Sequence, residues 1–298
     1  MRTQSPKQLT IFPDLVPLIK PTNNKAINVS TVPQRSPFRY PGGKTWLIPI
    51  ARRWFSQATN HSQLFEPFAG GGVITLTAIA EGYFSHAFMA EIDEDMAAAW
   101  MTIFSDEDCT WLIKQIKDFE ICSENISKVI EQSSYGRKEH GFATIVRNRT
   151  NHGGILAKGS GRIKSGESGK GISSRWYPET IANRISEANK LGKKITFIYG
   201  DAFNLIEENI KKPNAFFFID PPYTVAGKRL YNHYNVDHHR VFRLCSQMQG
   251  HFLLTYDNTK EIQDLATRFN LPYKLIPMQT THLITKEELI ISDNLDWI

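Results

Sequence analysis

The sequence predicts an α/β sheet interrupted once by an inserted segment. Three observations carry this. Apolar runs of strand length alternate with stretches of helical period. The stretch Leu64-Phe65-Glu66-Pro67-Phe68-Ala69-Gly70-Gly71-Gly72-Val73 is a strand, a glycine-rich turn and a helix start. Five apolar residues, Ala215–Ile219, run straight into Asp220-Pro221-Pro222-Tyr223, a buried strand that the prolines must end.

Residues 1 to about 35 carry five prolines among polar residues without a sustained period and predict a flexible tail, with one short ordered patch at Leu9–Leu18. Next, Phe38-Arg39-Tyr40-Pro41-Gly42-Gly43-Lys44 leads into Trp46, Leu47, Ile50, Trp54 and Phe55 at helical spacing. The Gly-Gly-Lys loop fails the Walker pattern, because Phe38 stands five before Gly43 and no buried strand precedes it. A helix through Ile74–Glu81 follows the glycine turn, and Ala87–Ala90 is a second strand ending in Glu91-Ile92-Asp93.

Helical markers continue from about 94 to 131. Between Arg137 and Arg175 the chain turns basic and glycine-rich, with only Glu139 and Glu167 opposing nine basic residues. That composition predicts a solvated loop at Gly159–Gly171 and a phosphate-neutralising surface. Arg147, Asn148, Arg149 and Asn151 have side chains able to read base edges and are the candidate DNA contacts. Ile181–Leu191 is a returning helix and Ile195–Tyr199 a strand with Gly200-Asp201-Ala202-Phe203 at its end. After the Asp220 strand come a helix within Tyr234–Met248, a strand at His251–Tyr256, a helix at Glu261–Phe269 and an antiparallel pair, Tyr273–Gln279 with Glu288–Ser292. The expected organisation is a tail at 1–35, a catalytic domain from 36–104 and 189–298, and an inserted domain at 105–188.

Composition narrows the function. At 41% hydrophobic and 22% charged the chain has globular composition. No apolar run nears the roughly 18 residues a membrane span needs, and no secretory signal is visible, so no membrane partner is expected. Cys109, Cys122 and Cys245 are widely spaced, which fits a reducing cytoplasm and no disulfide framework. A charge of +5 is compatible with a nucleic-acid partner. His233, His238 and His239 lack acid or cysteine partners at ligand spacing, so no metal is expected.

Strand tips in open α/β sheets hold ligands. Glu91 follows Gly70 by 21 residues, the place of an acid that binds ribose hydroxyls. Gly70-x-Gly72 lacks the third glycine of the dinucleotide fingerprint, so a nucleoside-bearing cofactor is favoured over NAD. Asp220, the rigid carbonyls beside Pro221 and Pro222, and the flat face of Tyr223 together suit a planar ring bearing an amino group.

In this order and spacing, Arg39-Tyr40-Pro41-Gly42-Gly43-Lys44, the Phe68-x-Gly70-x-Gly72 turn, Glu91 and Asp220-Pro221-Pro222-Tyr223 resemble the Dam-type DNA adenine-N6 methyltransferases. The resemblance covers about 37 to 295. It implies a Rossmann-like S-adenosylmethionine-dependent sheet, with 105–188 as a target-recognition domain. It implies S-adenosyl-L-methionine held by Tyr40, Lys44, Phe68, Gly70, Gly72, Glu91, Asp201, Phe203 and Asp220. Glu91 departs from the family's usual Asp by one methylene. It also implies methyl transfer to a flipped adenine of double-stranded DNA at Asp220–Tyr223. No cysteine has the Pro-Cys context that cytosine C5 chemistry needs. The expected setting is cytoplasmic and nucleoid-associated, acting alone or paired with a cognate restriction endonuclease. The rivals are an RNA adenine methyltransferase and a silent DNA-binding module; the intact motifs disfavour the second.

Overall fold

The computed structural model describes residues 29, 31–40, 42–166, 169–223, 230–279 and 285–298. Most of the predicted tail, including Leu9–Leu18, lies outside the described residues, as do Pro41 and Glu167. At its end the expected tail joins the packed body: Val32 is buried and Arg35 lies 3.6 Å from Glu81.

Strands β1 (Gln63–Glu66), β2 (Ala87–Glu91), β3 (Ile195–Tyr199), β4 (Ala215–Ile219), β5 (His251–Asp257), β6 (Tyr273–Gln279) and β7 (Thr285–Ser292) form one sheet. Its order is β3-β2-β1-β4-β5-β7-β6. The first five are parallel, while β7 runs antiparallel to both β5 and β6. This mixed sheet has a Rossmann-like fold. The chain leaves β1 toward β2 on one side, yet β4 joins β1 on the other. The carboxyl ends of β1 and β4 are therefore adjacent, and a crevice opens between them. Register sets the Gly70 turn beside Asp220, since Phe65 lies across from Phe217.

The apolar run of β4 explains the sheet's burial. Successive side chains of a strand point to opposite faces. Phe216 and Phe218 join the core containing Trp54 and Leu253, whereas Phe217 and Ile219 join the one containing Phe65 and Tyr256. Phe65 stacks on Phe217 at 5.0 Å between ring centres. Each phenylalanine contributes roughly 2 kcal/mol of burial, and all three are 1% exposed or less.

Helix α1 (Ile48–Phe55) packs beside α2 (Val73–Ala80), which follows the glycine turn. Helix α3 (Glu94–Phe104) starts at Asp93, whose carboxylate accepts from Met96 N–H. The segment expected to be inserted is helical: α4 (Asp106–Asp118), α5 (Ser123–Gln132), α6 (Arg137–Thr150) and α7 (Pro178–Gly192) lie between β2 and β3. Helix α6 falls where composition predicted only a basic, glycine-rich surface. It lies along α3, and a Cβ on Gly141 would stand 2.6 Å from Thr102 Oγ1, so the close approach requires glycine. Helices α8 (Ala202–Asn209), α9 (His238–Cys245) and α10 (Lys260–Arg268) complete the alternation. Helix α9 is shorter than the predicted span. Among the described residues, no helix is long and apolar enough to cross a membrane.

Candidate active site

Asp220 stands at the end of β4, and its two carboxylate oxygens have different partners. Lys44 Nζ lies 2.7 Å from Oδ2, and Thr255 of β5 donates its hydroxyl to Oδ1 at 2.8 Å. Lys44 Nζ also donates to the Gly42 carbonyl at 2.8 Å and is only 3% exposed. The same ammonium sits 5.0 Å from the centre of the Tyr223 ring. Pro221, which is buried, and Pro222 fix the backbone between acid and ring. The Tyr223 hydroxyl donates to Glu288 Oε2 at 3.0 Å. Burial, then the charges of Asp220 and Glu288, push Tyr223 well above the usual phenol range. Burial also raises Glu288, against the opposing pull of Lys44.

The neighbouring pocket wall comes from the glycine turn. Gly70 and Gly72 have φ of 46° and 62°, conformations that other residues adopt at a cost. A Cβ on Gly70 would come 2.6 Å from the Tyr40 ring, which itself stacks on Tyr231 at 5.7 Å. Glu91 Oε2 accepts from Gly70 N–H at 2.9 Å, and Oε1 accepts from Ile92 and Asp93 N–H. Even so, burial raises its carboxyl to about 7. Glu66, at the tip of β1, accepts from Thr75 N–H at 3.0 Å and is raised to about 8, chiefly by burial. Asp201 caps α8 by accepting from Phe203 N–H, and Phe203 meets Phe68 edge-on. The sheet thus gathers the residues predicted around the crevice.

A nucleoside bearing a sulfonium fits this donor set. Glu66 and Glu288 both feel the charge of Asp220, and Lys44 is the cation paired with that acid. The glycine turn brings backbone close to Glu91, the acid expected to take ribose hydroxyls.

The predicted DNA contacts are placed differently. Arg147 Nη1 pairs with Asp95 at 2.7 Å and its Nη2 donates to the Leu156 carbonyl. Asn148 is 1% exposed; it accepts from Arg39 N–H and donates to the carbonyls of Arg39 and Gly154. Arg149 donates to the Pro37 carbonyl, and Asn151 to that of Ile155. Asn148, Arg149 and Asn151 are all buried: the last turn of α6 packs Asn148 and Arg149 against the 36–39 segment, and Asn151 turns to Ile155. The four side chains expected to read bases are thus engaged within the chain: Asn148 and Arg149 clamp the segment leading into Tyr40, Asn151 holds the Ile155 carbonyl, and Arg147, partly exposed, pairs with Asp95. Burial, with Arg184, Arg39 and Arg175 nearby, lowers Arg149 to about 10. Gly141, Thr144 and Asn148 share one helical face and are all buried, which is the pattern that would have revealed this.

Sequence reasoning missed Glu66, Thr255, Glu288 and Tyr231. Glu66 sits at a strand tip just before Pro67, the same signal that selected Glu91. Thr255 and Glu288 meet the site only through strand order. Among the described residues no acid, cysteine and histidine group is set to hold a metal. His238 instead shares a 2.7 Å hydrogen bond with the Tyr256 hydroxyl.

A family model described as "D12 class N6 adenine-specific DNA methyltransferase" matches residues 40–276. Among solved structures, the chain is similar to the SAM-dependent methyltransferase from Agrobacterium tumefaciens, at 10% identity and a TM-score of 0.38. That match covers 84% of this chain and 60% of the other, and a likeness so distant says nothing about function. No curated protein matches.

Proposed function

This chain belongs to the D12 class of N6 adenine-specific DNA methyltransferases, and on that footing we propose that Asp220–Tyr223 methylates the N6 amino group of an adenine flipped out of duplex DNA. S-adenosyl-L-methionine is the cofactor and supplies an electrophilic methyl group on a positively charged sulfur. The observation that carries the reading is the seat of Lys44. Its ammonium donates to Asp220 Oδ2 at 2.7 Å while standing over the Tyr223 ring. An N–H donor above an aromatic face is what a target adenine presents at the same acceptor.

The proposed roles rest on chemistry. An adenine amino group is a poor nucleophile because its lone pair is delocalised into the ring. One N–H donating to Asp220 and the other to the Pro221 carbonyl favour a pyramidal nitrogen with its lone pair freed. Asp220 faces the positive charge that develops there. Holding the two partners close supplies much of the rate. Tyr223 gives the extruded base a stacking face. Lys44 must leave Oδ2 for the base to enter. Thr255 keeps its hold on Oδ1 and orients the carboxylate.

With α6 turned inward, the surface proposed to neutralise DNA phosphates moves to the exposed Lys158, Lys164 and Lys170. Lys158 N–H donates to Asn232, whose side chain donates to Asp93. The basic loop thereby reaches the site's rim. Whether the protein acts alone or beside a restriction endonuclease is a separate proposal, carried by the chain's class rather than by its geometry.

The test is transfer of label from tritiated cofactor to duplex DNA, with nucleoside analysis of the product. Label on N6-methyladenine is expected, and its loss in Asp220→Ala with the circular dichroism unchanged. Label on RNA alone, or full activity in Asp220→Ala, would overturn the reading.

A further inference from the structure

Glu288 takes no part in the bond-making of methyl transfer, yet it is bound to the Tyr223 ring at the centre of the site. It lies on β7, 8% exposed, beside Leu289, Ile290 and Ile291, which are 0% exposed. A carboxyl group in such company is costly unless a partner compensates it. An apolar side chain would suit the strand better. The hydrogen-bond partner here is the Tyr223 hydroxyl, at 3.0 Å. Strand β7 is hydrogen-bonded to β5, which places Glu288 across from Asp257 and one pleat from Thr255. Two neighbouring strands thus hold the two ends of the Asp220–Tyr223 turn: Thr255 at the acid and Glu288 at the ring.

A tyrosine ring whose plane serves as a stacking face has one soft freedom that Pro222 does not remove, the rotation of its own side chain. Anchoring the hydroxyl, which lies on the ring's long axis, holds χ1 and so fixes where the ring stands. We propose that Glu288 is a positioning residue for the methyl transfer, holding the Tyr223 ring at the place where the target adenine stacks. The assignment rests on the methyltransferase reading. The acceptor oxygen is what matters, so glutamine keeps the function and leucine, of similar size, removes it.

The test is a double-mutant cycle read as kcat and KM for a long bacteriophage DNA grown without host methylation, with tritiated S-adenosylmethionine as donor. Glu288→Leu and Tyr223→Phe remove the same hydrogen bond from opposite ends. Each is expected to lower kcat/KM about tenfold, while calorimetric affinity for the cofactor stays within about twofold. The double variant is expected to be no worse than either single one, the signature of one shared interaction. Glu288→Gln restores activity to within about threefold. A residue needed only for folding would show neither non-additivity nor rescue by glutamine. Independent, multiplicative losses, or full activity in Tyr223→Phe, would overturn the assignment while leaving the methyltransferase reading in place. Absence of transfer by the unaltered chain would overturn both. If Glu288→Leu fails to fold, Tyr223→Phe and Glu288→Gln still decide, since the first must lose activity and the second must keep it.

Discussion

Asn148→Ala separates a DNA contact from an internal clamp. The side chain accepts from Arg39 N–H at 2.9 Å and donates to the carbonyls of Arg39 at 2.9 Å and Gly154 at 2.8 Å. Each bond is worth about 1 kcal/mol net, and more where a group is left buried and bare. The two bonds to Arg39 are partly open to water. The substitution should therefore destabilise the protein by about 2–3 kcal/mol, measured by urea unfolding. A clamp touches no nucleic acid, so affinity for duplex DNA at fixed salt should stay within about threefold. That affinity is measured by fluorescence anisotropy of a labelled duplex at one salt concentration. Unaltered stability together with an affinity lowered about tenfold or more would refute the clamp, because it would mean that Asn148 turns outward to the nucleic acid.

Gly72→Ala places a Cβ at φ 62°, 2.8 Å from Met89 Cε and 2.9 Å from Trp100 Cζ2. The methionine end can yield, but Trp100 is 0% exposed and tied by its indole N–H to the Gly70 carbonyl. Conformational strain and overpacking together should cost about 2–4 kcal/mol in unfolding free energy; a loss under about 0.5 kcal/mol would remove that account. Glu66, raised to about 8 in the folded state from an ordinary 4.5, makes the folded state bind more protons than the unfolded one between those values. Its contribution to stability is complete below about pH 4.5 and is lost as pH rises through about 8. Denaturation midpoints should fall over that window, and Glu66→Gln should make the fall shallower; an unchanged or steeper decline would contradict it.

The sheet was legible because its strands are bounded by residues that cannot continue them. Pro221 had to end β4, and the glycines had to turn after β1, so the adjacency of Asp220 and the Gly70 turn came from α/β topology alone. Two things were not legible. Helix α6 buries Phe142, Ile145 and Val146, but it also buries Thr144, Asn148 and Arg149, so its short apolar set, lying inside a basic stretch, does not mark which polar residues turn inward. Its arginines looked solvated because composition cannot tell an outward cation from one that satisfies backbone carbonyls. Glu288 was hidden differently: its position looks like one half of a closing hairpin, and only the order β4-β5-β7 brings it to Tyr223.

Lys44 couples the acid to the ring. At the start of a short 3-10 helix, Lys44–Leu47, it delivers its ammonium to a place 3% exposed, among Asp220, the Gly42 carbonyl and the Tyr223 ring. A buried charge of either sign is costly when unpaired. Before substrate arrives, Lys44 and Asp220 meet each other's need. On the proposed function, an entering base would replace one N–H donor with another at Oδ2, and such an exchange changes the hydrogen-bond count little. Lysine suits this better than arginine, being a compact charge on a flexible stem that can withdraw a few ångströms without leaving the pocket. Its charge also opposes the burial that raises Glu288, the acceptor of the Tyr223 hydroxyl. Lys44, the acid after β4 and the carboxyl of β7 therefore form one electrostatic unit, and a change at any of the three should be felt at the ring between them.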